Sequence, residues 1–347
     1  MKQSFLFDLN KCTGCHACQL ACMIENDLDH GMNWRHIYTF NEQRHPKHAY
    51  FHLSLACNHC EDAPCMKYCP AGAYSSDANT GAVTIDPYLC IGCKYCSWVC
   101  PYDAPKYSKS KGIVEKCTMC SDRLNDNLDP ACVSLCPTGA LGFGEKPENP
   151  TQHVQGFTVS DIKPSIDFTP LREERVLPEG TTAPHDKVIV RQFHAEAFEP
   201  ESKISVVSEW SLILFSVMVS TLFGLFIASM MSALRLNPVL FGAAGLAAMA
   251  ISSLHLGKKL KAYRALINWR HSWLSREIIF YALFLIIALI YAAIMPEIRI
   301  VGWIAVIAGF ACLFSMDMVY QFIPRTEEQR GHSAFVLFMG LYLTGIF

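Results

Sequence analysis

Sixteen of the chain's seventeen cysteines fall in four spaced blocks between Cys12 and Cys136, and this spacing constrains the fold most. Block one is Cys12, Cys15, Cys18 and Cys22; block two is Cys57, Cys60, Cys65 and Cys69, followed by Pro70. Block three is Cys90, Cys93, Cys96 and Cys100, followed by Pro101. Block four is Cys117 and Cys120, then Cys132 and Cys136, followed by Pro137. Disulfides fit poorly, because the apolar second half implies a membrane protein and the opening MKQSFLFDLNKC has neither a secretory signal region nor a twin arginine. Structural zinc accounts for paired Cys-x2-Cys units but not for the third cysteine three residues further on. Iron–sulfur clusters account for all sixteen.

Block three has the spacing of the bacterial ferredoxin run, in which three thiolates hold one cubane and the fourth reaches a neighbouring one. Residues three apart on a tight loop turn successive sulfurs toward successive cluster corners. The expected fold is therefore an α+β ferredoxin-like domain carrying four 4Fe–4S clusters. Crossing the fourth cysteines pairs Cys57, Cys60, Cys65 with Cys100, and Cys90, Cys93, Cys96 with Cys69. The flanking blocks then pair Cys12, Cys15, Cys18 with Cys136, and Cys117, Cys120, Cys132 with Cys22. The alternative is that each block keeps its own four ligands.

The chain is two different polymers. Residues 1–207 carry a local charge of −6, whereas residues 208–347 carry +4 and hold the long apolar runs. The near-zero sum, −2, leaves no basic footprint for nucleic acid. Trp210–Ala233, Pro238–Gly257 and Ile278–Met295 are 24, 20 and 18 residues without Asp, Glu, Lys or Arg, long enough to cross a bilayer. With the shorter Ile300–Met316 and Ser333–Phe347 they predict an all-α polytopic transmembrane domain of about five helices. Three regions result: a cluster domain over 1–144, a proline-rich extended arm over 145–207, and the membrane domain over 208–347. Within the arm, Lys187–Arg191 could form a strand.

The stretches LACNHCEDAPCMKYCPAGA, CIGCKYCSWVCPYDAPKY, KCTMC with ACVSLCPTGAL, and FDLNKCTGCHACQLAC resemble the four-cluster electron-transfer subunit of the dimethyl sulfoxide reductase family. SSLHLGKKLKAYRAL and SREI resemble that family's anchor subunit, here fused to the first. The resemblance implies menaquinol oxidation without haem, and it puts the quinol-site histidine on His255 and the glutamate on Glu277. It also implies a separate molybdopterin-containing catalytic subunit, making the protein one part of a hetero-oligomer. The family anchor has eight spans, more than the five counted here.

Chain topology tests this independently. Two crossings return the chain to the cluster side, so the loop from Lys258 to Arg276 lies there, bounded by His255 and Glu277. A neutral imidazole at His255 can accept a quinol proton, and Glu277 can relay it. Lys259 and Asp317 are further candidates around the cofactor. Lys259 belongs to a basic group (Lys258, Lys259, Lys261, Arg264, Arg270, Arg276) suited to lipid phosphates or to docking the acidic cluster domain. Asp317 is a carboxylate near a span end. Cys312 reads as a packing residue. Haem would need histidine pairs on facing spans, and the spans offer little beyond His255.

The expected function is transfer of electrons from menaquinol through the clusters to a catalytic partner that reduces an S-oxide, N-oxide or sulfur compound. The alternatives are reverse flow, from formate or sulfite into quinone, and a ferredoxin-type module of a membrane hydrogenase or ion-pumping complex. The expected location is the bacterial inner membrane. Eight Lys and Arg residues on cluster-side loops against two opposite favour a cytoplasmic cluster domain. A periplasmic one stays open, since relatives can be exported folded with a partner.

Overall fold

The computed structural model describes residues 2–42, 49–172, 207, 209–231 and 235–323. The cluster half contains β1 (Gln3–Asp8), α1 (Ala17–Glu25), β2 (His36–Phe40), β3 (Phe51–Leu55), α2 (Pro64–Lys67), β4 (Tyr74–Ser76) and β5 (Val83–Ile85). It continues through α3 (Tyr95–Val99), β6 (Lys106–Ser108), β7 (Ile113–Glu115), α4 (Ser121–Asn125), α5 (Ala131–Ser134), β8 (Leu141–Glu145) and β9 (Ile166–Thr169). β1 is the centre of a three-stranded sheet, antiparallel to β8 and parallel to β9, and the remaining strands form three separate antiparallel pairs. Helix α1 packs on α5, and α2 on α3. The four cysteine blocks are thereby associated as one with four and two with three.

Part of the proline-rich stretch is built into this sheet. Pro164 and Pro170 flank β9 rather than interrupt it, so the strand keeps the amides it needs to pair with β1. Gln152 Nε2 donates to the carbonyls of Pro164 and Ile166, and the folded unit runs on through residue 172. The possible strand at Lys187–Arg191 and the fifth apolar run, Ser333–Phe347, lie outside the described residues.

The second half is helical: α6 (Trp210–Met231), α7 (Pro238–Ser252), α8 (Trp273–Ala293) and α9 (Arg299–Gln321), with 3₁₀ turns at Ser253–His255 and Lys259–Leu266. Among the described residues four helices are long and apolar enough to cross a membrane, counting the turn to His255 as the end of the second. α7 starts where Asn237 accepts from the amides of Val239 and Leu240, with Pro238 in the first turn. α8 starts five residues before its charge-free run, because the Ser272 hydroxyl caps the amide of Ser275. Arg276 and Glu277 thus belong to the helix rather than to the loop before it. Phe223, Phe226 and Phe284 pack edge to face at the bundle centre, at 5.6 and 5.8 Å from Phe284.

The halves dock tightly. Loop amides of Gly257 and Lys258 donate to the carbonyls of Gly92 and Ile91. The Asn268 amide donates to Pro70, and its side chain donates to Lys67 and Cys69 carbonyls at 3.1 and 2.9 Å. Lys261 Nζ reaches the Tyr88 carbonyl, and the Tyr95 hydroxyl donates to the Val319 carbonyl at 2.9 Å. Gly92, Gly112 and Gly257 meet backbone to backbone: a methyl on Gly257 would strike the Gly112 carbonyl. Gly92 also has φ +69°, a conformation that favours glycine. The loop's six cations form no ion pair among the described residues, so hydrogen bonds to backbone carbonyls, from amides, Asn268, Lys261 and Tyr95, carry the docking rather than attraction to the domain's acids.

Candidate electron-transfer and quinol site

A common local geometry builds the four thiol nests. The residue before each block's second cysteine has a left-handed backbone: Gly14, His59, Gly92 and Met119, with φ between 41° and 69°. Such turns aim successive amides at one concave point, which suits an anionic sulfur. The Gly92 amide donates to Cys90 Sγ at 3.4 Å and the Met119 amide to Cys117 Sγ at 3.3 Å. After the Cys-Pro pairs a second left-handed residue follows, at Gly72, Asp103 and Gly139. Beyond two of these, amides turn back: Ala73 donates to Cys69 Sγ and Leu141 to Cys136 Sγ, both at 3.4 Å.

The fourth cysteines lie close to thiols of the neighbouring block. Cys100 lines one cavity with Cys57, Cys60 and Cys65. Cys93 and Cys96 are within electrostatic reach of Cys69, Cys12 of Cys136, and Cys22 of Cys132 and Cys120. All seventeen cysteines are free, so no cystine competes for them. No three described His, Cys, Asp or Glu side chains converge as a single metal ion requires. Burial pushes the Cys12 thiol up to about 11 and the Cys22 thiol up to about 12, so without a metal both remain protonated.

The surroundings fit an anionic, sulfur-rich group. Buried donors with no partner include Trp34 Nε1, Arg35 Nε, Asn58 Nδ2 and His59 Nε2, and an unmade buried hydrogen bond costs about 1–3 kcal/mol. His59 Nδ1 accepts the Val83 amide, which leaves the proton on Nε2. Asn58 and His59 both line the Cys57–Cys100 cavity. Two cations among the described residues are almost fully buried, Arg35 at 2% and Lys116 at 1% exposed. Neither pairs with a carboxylate among the described residues, although an uncompensated buried charge costs several kcal/mol. Burial opposes the charge of each, but the cysteine sulfurs around them, once deprotonated, outweigh it and raise both above their ordinary values.

A different, small cavity lies where the two halves meet. Its lining includes Cys93, Tyr95 and Trp98 from the cluster half and His255, Glu277 and Tyr320 from the membrane half. The remainder is mainly apolar, from Leu212, Phe215, Leu274, Met316 and Val319. His255 Nδ1 donates to the Ser252 carbonyl, which leaves Nε2 as the acceptor. Glu277 is 8% exposed and makes no side-chain hydrogen bond or ion pair to a described residue. Beside this cavity Lys94 Nζ pairs with Glu209 Oε1 at 3.1 Å.

Comparison with known proteins matches the two halves to different families. Residues 48–146 match the 4Fe-4S dicluster domain family, and residues 205–347 match the DMSO reductase anchor subunit (DmsC) family. A subunit of the anaerobic dimethyl sulfoxide reductase of Escherichia coli is 38% identical over 192 residues, covering 92% of that polypeptide and 51% of this one. The protein belongs to the dimethyl sulfoxide reductase iron–sulfur subunit family, fused to a DmsC-type anchor. A sulfite dehydrogenase subunit of Allochromatium vinosum is 31% identical, over 90% of that polypeptide and 60% of this one. Thiosulfate reductase electron transfer subunit PhsB of Salmonella typhi is 39% identical, over 80% of that polypeptide and 44% of this one. The fusion is thus an iron–sulfur electron-transfer subunit with its own membrane anchor.

Of the residues singled out from sequence, the fold brings His255, Glu277 and Cys93 onto one cavity of this iron–sulfur and DmsC-type fusion. Lys259 and Asp317 do not line it: Lys259 is exposed in the 3₁₀ turn, and Asp317 is half-buried and accepts from Gln321 one turn on. Cys312 is fully buried, with Sγ against the Glu277 carbonyl. Sequence reasoning missed Tyr95, Trp98, Tyr320, the Lys94–Glu209 pair, Arg35 and Lys116. Only Glu209 had a visible signal, a carboxylate set directly against an apolar span. The others resemble ordinary aromatic or surface cations until the chain is folded.

Proposed function

We propose that this protein oxidises menaquinol in the cavity between its halves and passes the electrons to a separate molybdopterin-containing subunit that reduces an S-oxide, N-oxide or oxidised sulfur compound. The observation that carries this reading is the shared cavity of His255, Glu277 and Cys93. Menaquinol gives menaquinone, two protons and two electrons. His255 Nε2 takes one hydroxyl proton, its ring held by the Ser252 carbonyl. Glu277 takes the other, and the apolar lining excludes bulk water. Four 4Fe–4S clusters, when bound, supply one-electron carriers; each is held by three cysteines of one block and the fourth of its neighbour.

Neighbouring thiols support a linear order for the four sets. Cys93 lines the quinol cavity, and Cys96 is within electrostatic reach of Cys65. Cys117 is likewise close to Cys57, and Cys18 to Cys132. Cys15 is exposed, which makes the set of Cys12, Cys15, Cys18 and Cys136 the natural exit to a partner. The cluster domain faces the cytoplasm in this reading, because its side of the membrane carries the basic loops. Protease protection in intact spheroplasts checks that side.

The test replaces His255 by Phe in the assembled complex. Quinol-driven acceptor reduction should fall by about a hundredfold or more, the usual worth of a general base, while dye-driven reduction stays unchanged. Unaltered quinol turnover would refute the site. Reverse flow is the second reading, favoured by the similarity to a sulfite dehydrogenase subunit. A complex that reduces menaquinone with sulfite faster than it consumes menaquinol would establish it instead.

A further inference from the structure

The proposed path has three junctions between neighbouring thiol sets, and they differ in charge. Between the set of Cys12, Cys15, Cys18, Cys136 and the set of Cys117, Cys120, Cys132, Cys22 lies Arg35, within electrostatic reach of Cys132, Cys18, Cys117 and Cys22. Its guanidinium donates to the Ser54 hydroxyl at 3.1 Å and stands 4.9 Å over the Phe5 ring, two neutral partners that fix its place. Between the Cys117 set and the set of Cys57, Cys60, Cys65, Cys100 lies Lys116, within reach of Cys57, Cys65 and Cys117. Its ammonium donates to the carbonyls of Val83 and Cys117 and lines the Cys57–Cys100 cavity. Neither cation meets a carboxylate among the described residues.

The third junction, toward the membrane, is different. Between the Cys57 set and the set of Cys90, Cys93, Cys96, Cys69 stands Tyr74, a neutral phenol close to Cys96 and Cys65. The cation beside Cys93 is Lys94, and its charge is cancelled by Glu209 at 3.1 Å. Reduction adds one negative charge to an already anionic centre, and an uncancelled cation in a low-dielectric interior favours the reduced form. A cancelled one does little.

We propose that Arg35 and Lys116 are potential-setting residues, which hold the three outer centres at higher reduction potentials than the centre beside the quinol cavity. Electrons leaving the cavity then run downhill toward Cys15, with Lys116 acting at the crossing between the two ferredoxin-like pairs. The inference rests on the four-cluster reading above and adds a direction to it.

The test is an EPR-monitored redox titration of the purified full-length protein with its iron–sulfur centres in place. Lys116→Gln should lower the centres at the Cys57 and Cys117 sets at least tenfold in their reduction equilibrium, 59 mV for a one-electron couple. Arg35→Gln should do the same at the Cys117 and Cys12 sets. In both variants the centre at the Cys90 set should keep its potential, and Lys116→Arg should behave as wild type. Four unshifted potentials, or an equal fall of all four, would overturn the proposal. A measurement on wild-type protein needs no neutral variant to fold: the lowest of the four potentials should belong to the centre whose signal changes in Cys93→Ser. If another centre is lowest, the proposal fails. Four centres with the wrong order would sink this inference alone, whereas fewer than four would overturn the cluster reading and this inference with it.

Discussion

The two halves of this molecule obtain their order from opposite sources. In the cluster half the strands are three to six residues long and the helices four to nine, too short to stand alone. Its interior holds thirteen buried thiols, two cations with no carboxylate partner among the described residues and several donors without partners, none of which favours compaction by itself. In the membrane half the four long helices satisfy their own backbone hydrogen bonds, and aromatic rings and small residues fill the spaces between them. One half is organised around groups it must acquire. The other is organised by its own sequence.

The largest expected effect breaks that contrast directly. Removing iron anaerobically with a chelator should unfold residues 2–172, seen as rapid proteolysis, while far-ultraviolet circular dichroism retains the signal of the membrane helices. Metal-dependent domains commonly take their folding free energy from the metal. If the iron-free domain resisted proteolysis as well as the loaded one, the contrast would be wrong.

Next in size are changes where the halves meet. Glu277→Gln keeps the shape but removes the proton acceptor, so quinol-driven turnover should drop by about a hundredfold with cluster potentials unmoved. Gly257→Ala places a methyl against the Gly112 carbonyl, and such overpacking costs about 1–3 kcal/mol. Reduction of the clusters by quinol should slow in stopped-flow records, with iron content and dye-driven activity retained. A normal quinol-driven rate in this variant would show that the glycine contact does not position the cavity.

The smallest effect is expected at Cys312. It is fully buried beside the Glu277 carbonyl and belongs to no thiol nest. Cys312→Ala should lower the thermal stability of the detergent-solubilised protein by roughly 1 kcal/mol, the usual size for single substitutions. Its iron content should equal that of wild type, and a loss of one cluster would sharpen the boundary between the halves by moving this residue across it.

Much of this architecture is legible along the sequence. Cysteine spacing is a local property, and the left-handed turns at Gly14, His59, Gly92 and Met119 realise it locally. Long charge-free runs likewise mark spans, because a bilayer selects for length and hydrophobicity alone. Helix boundaries were less legible: α8 begins at Trp273, where a serine cap and a half-buried arginine continue the helix past the last charge. Strand β9 was hidden for a related reason, since its flanking prolines read as an arm although its own four residues contain none.

What the amino-acid order determined by itself is the kind of parts: thiol nests in four blocks, apolar spans, and a histidine and a glutamate bounding one loop. Tertiary structure alone decided which parts share a space. It set Cys93 opposite His255 and Glu277, put Lys116 and Arg35 where the thiol sets adjoin, and left Lys259 and Asp317 outside the cavity. The physical reason is that ligand spacing and hydrophobicity act between residues close in sequence. Electrostatic reach and cavity shape depend on side chains that only long-range packing brings together.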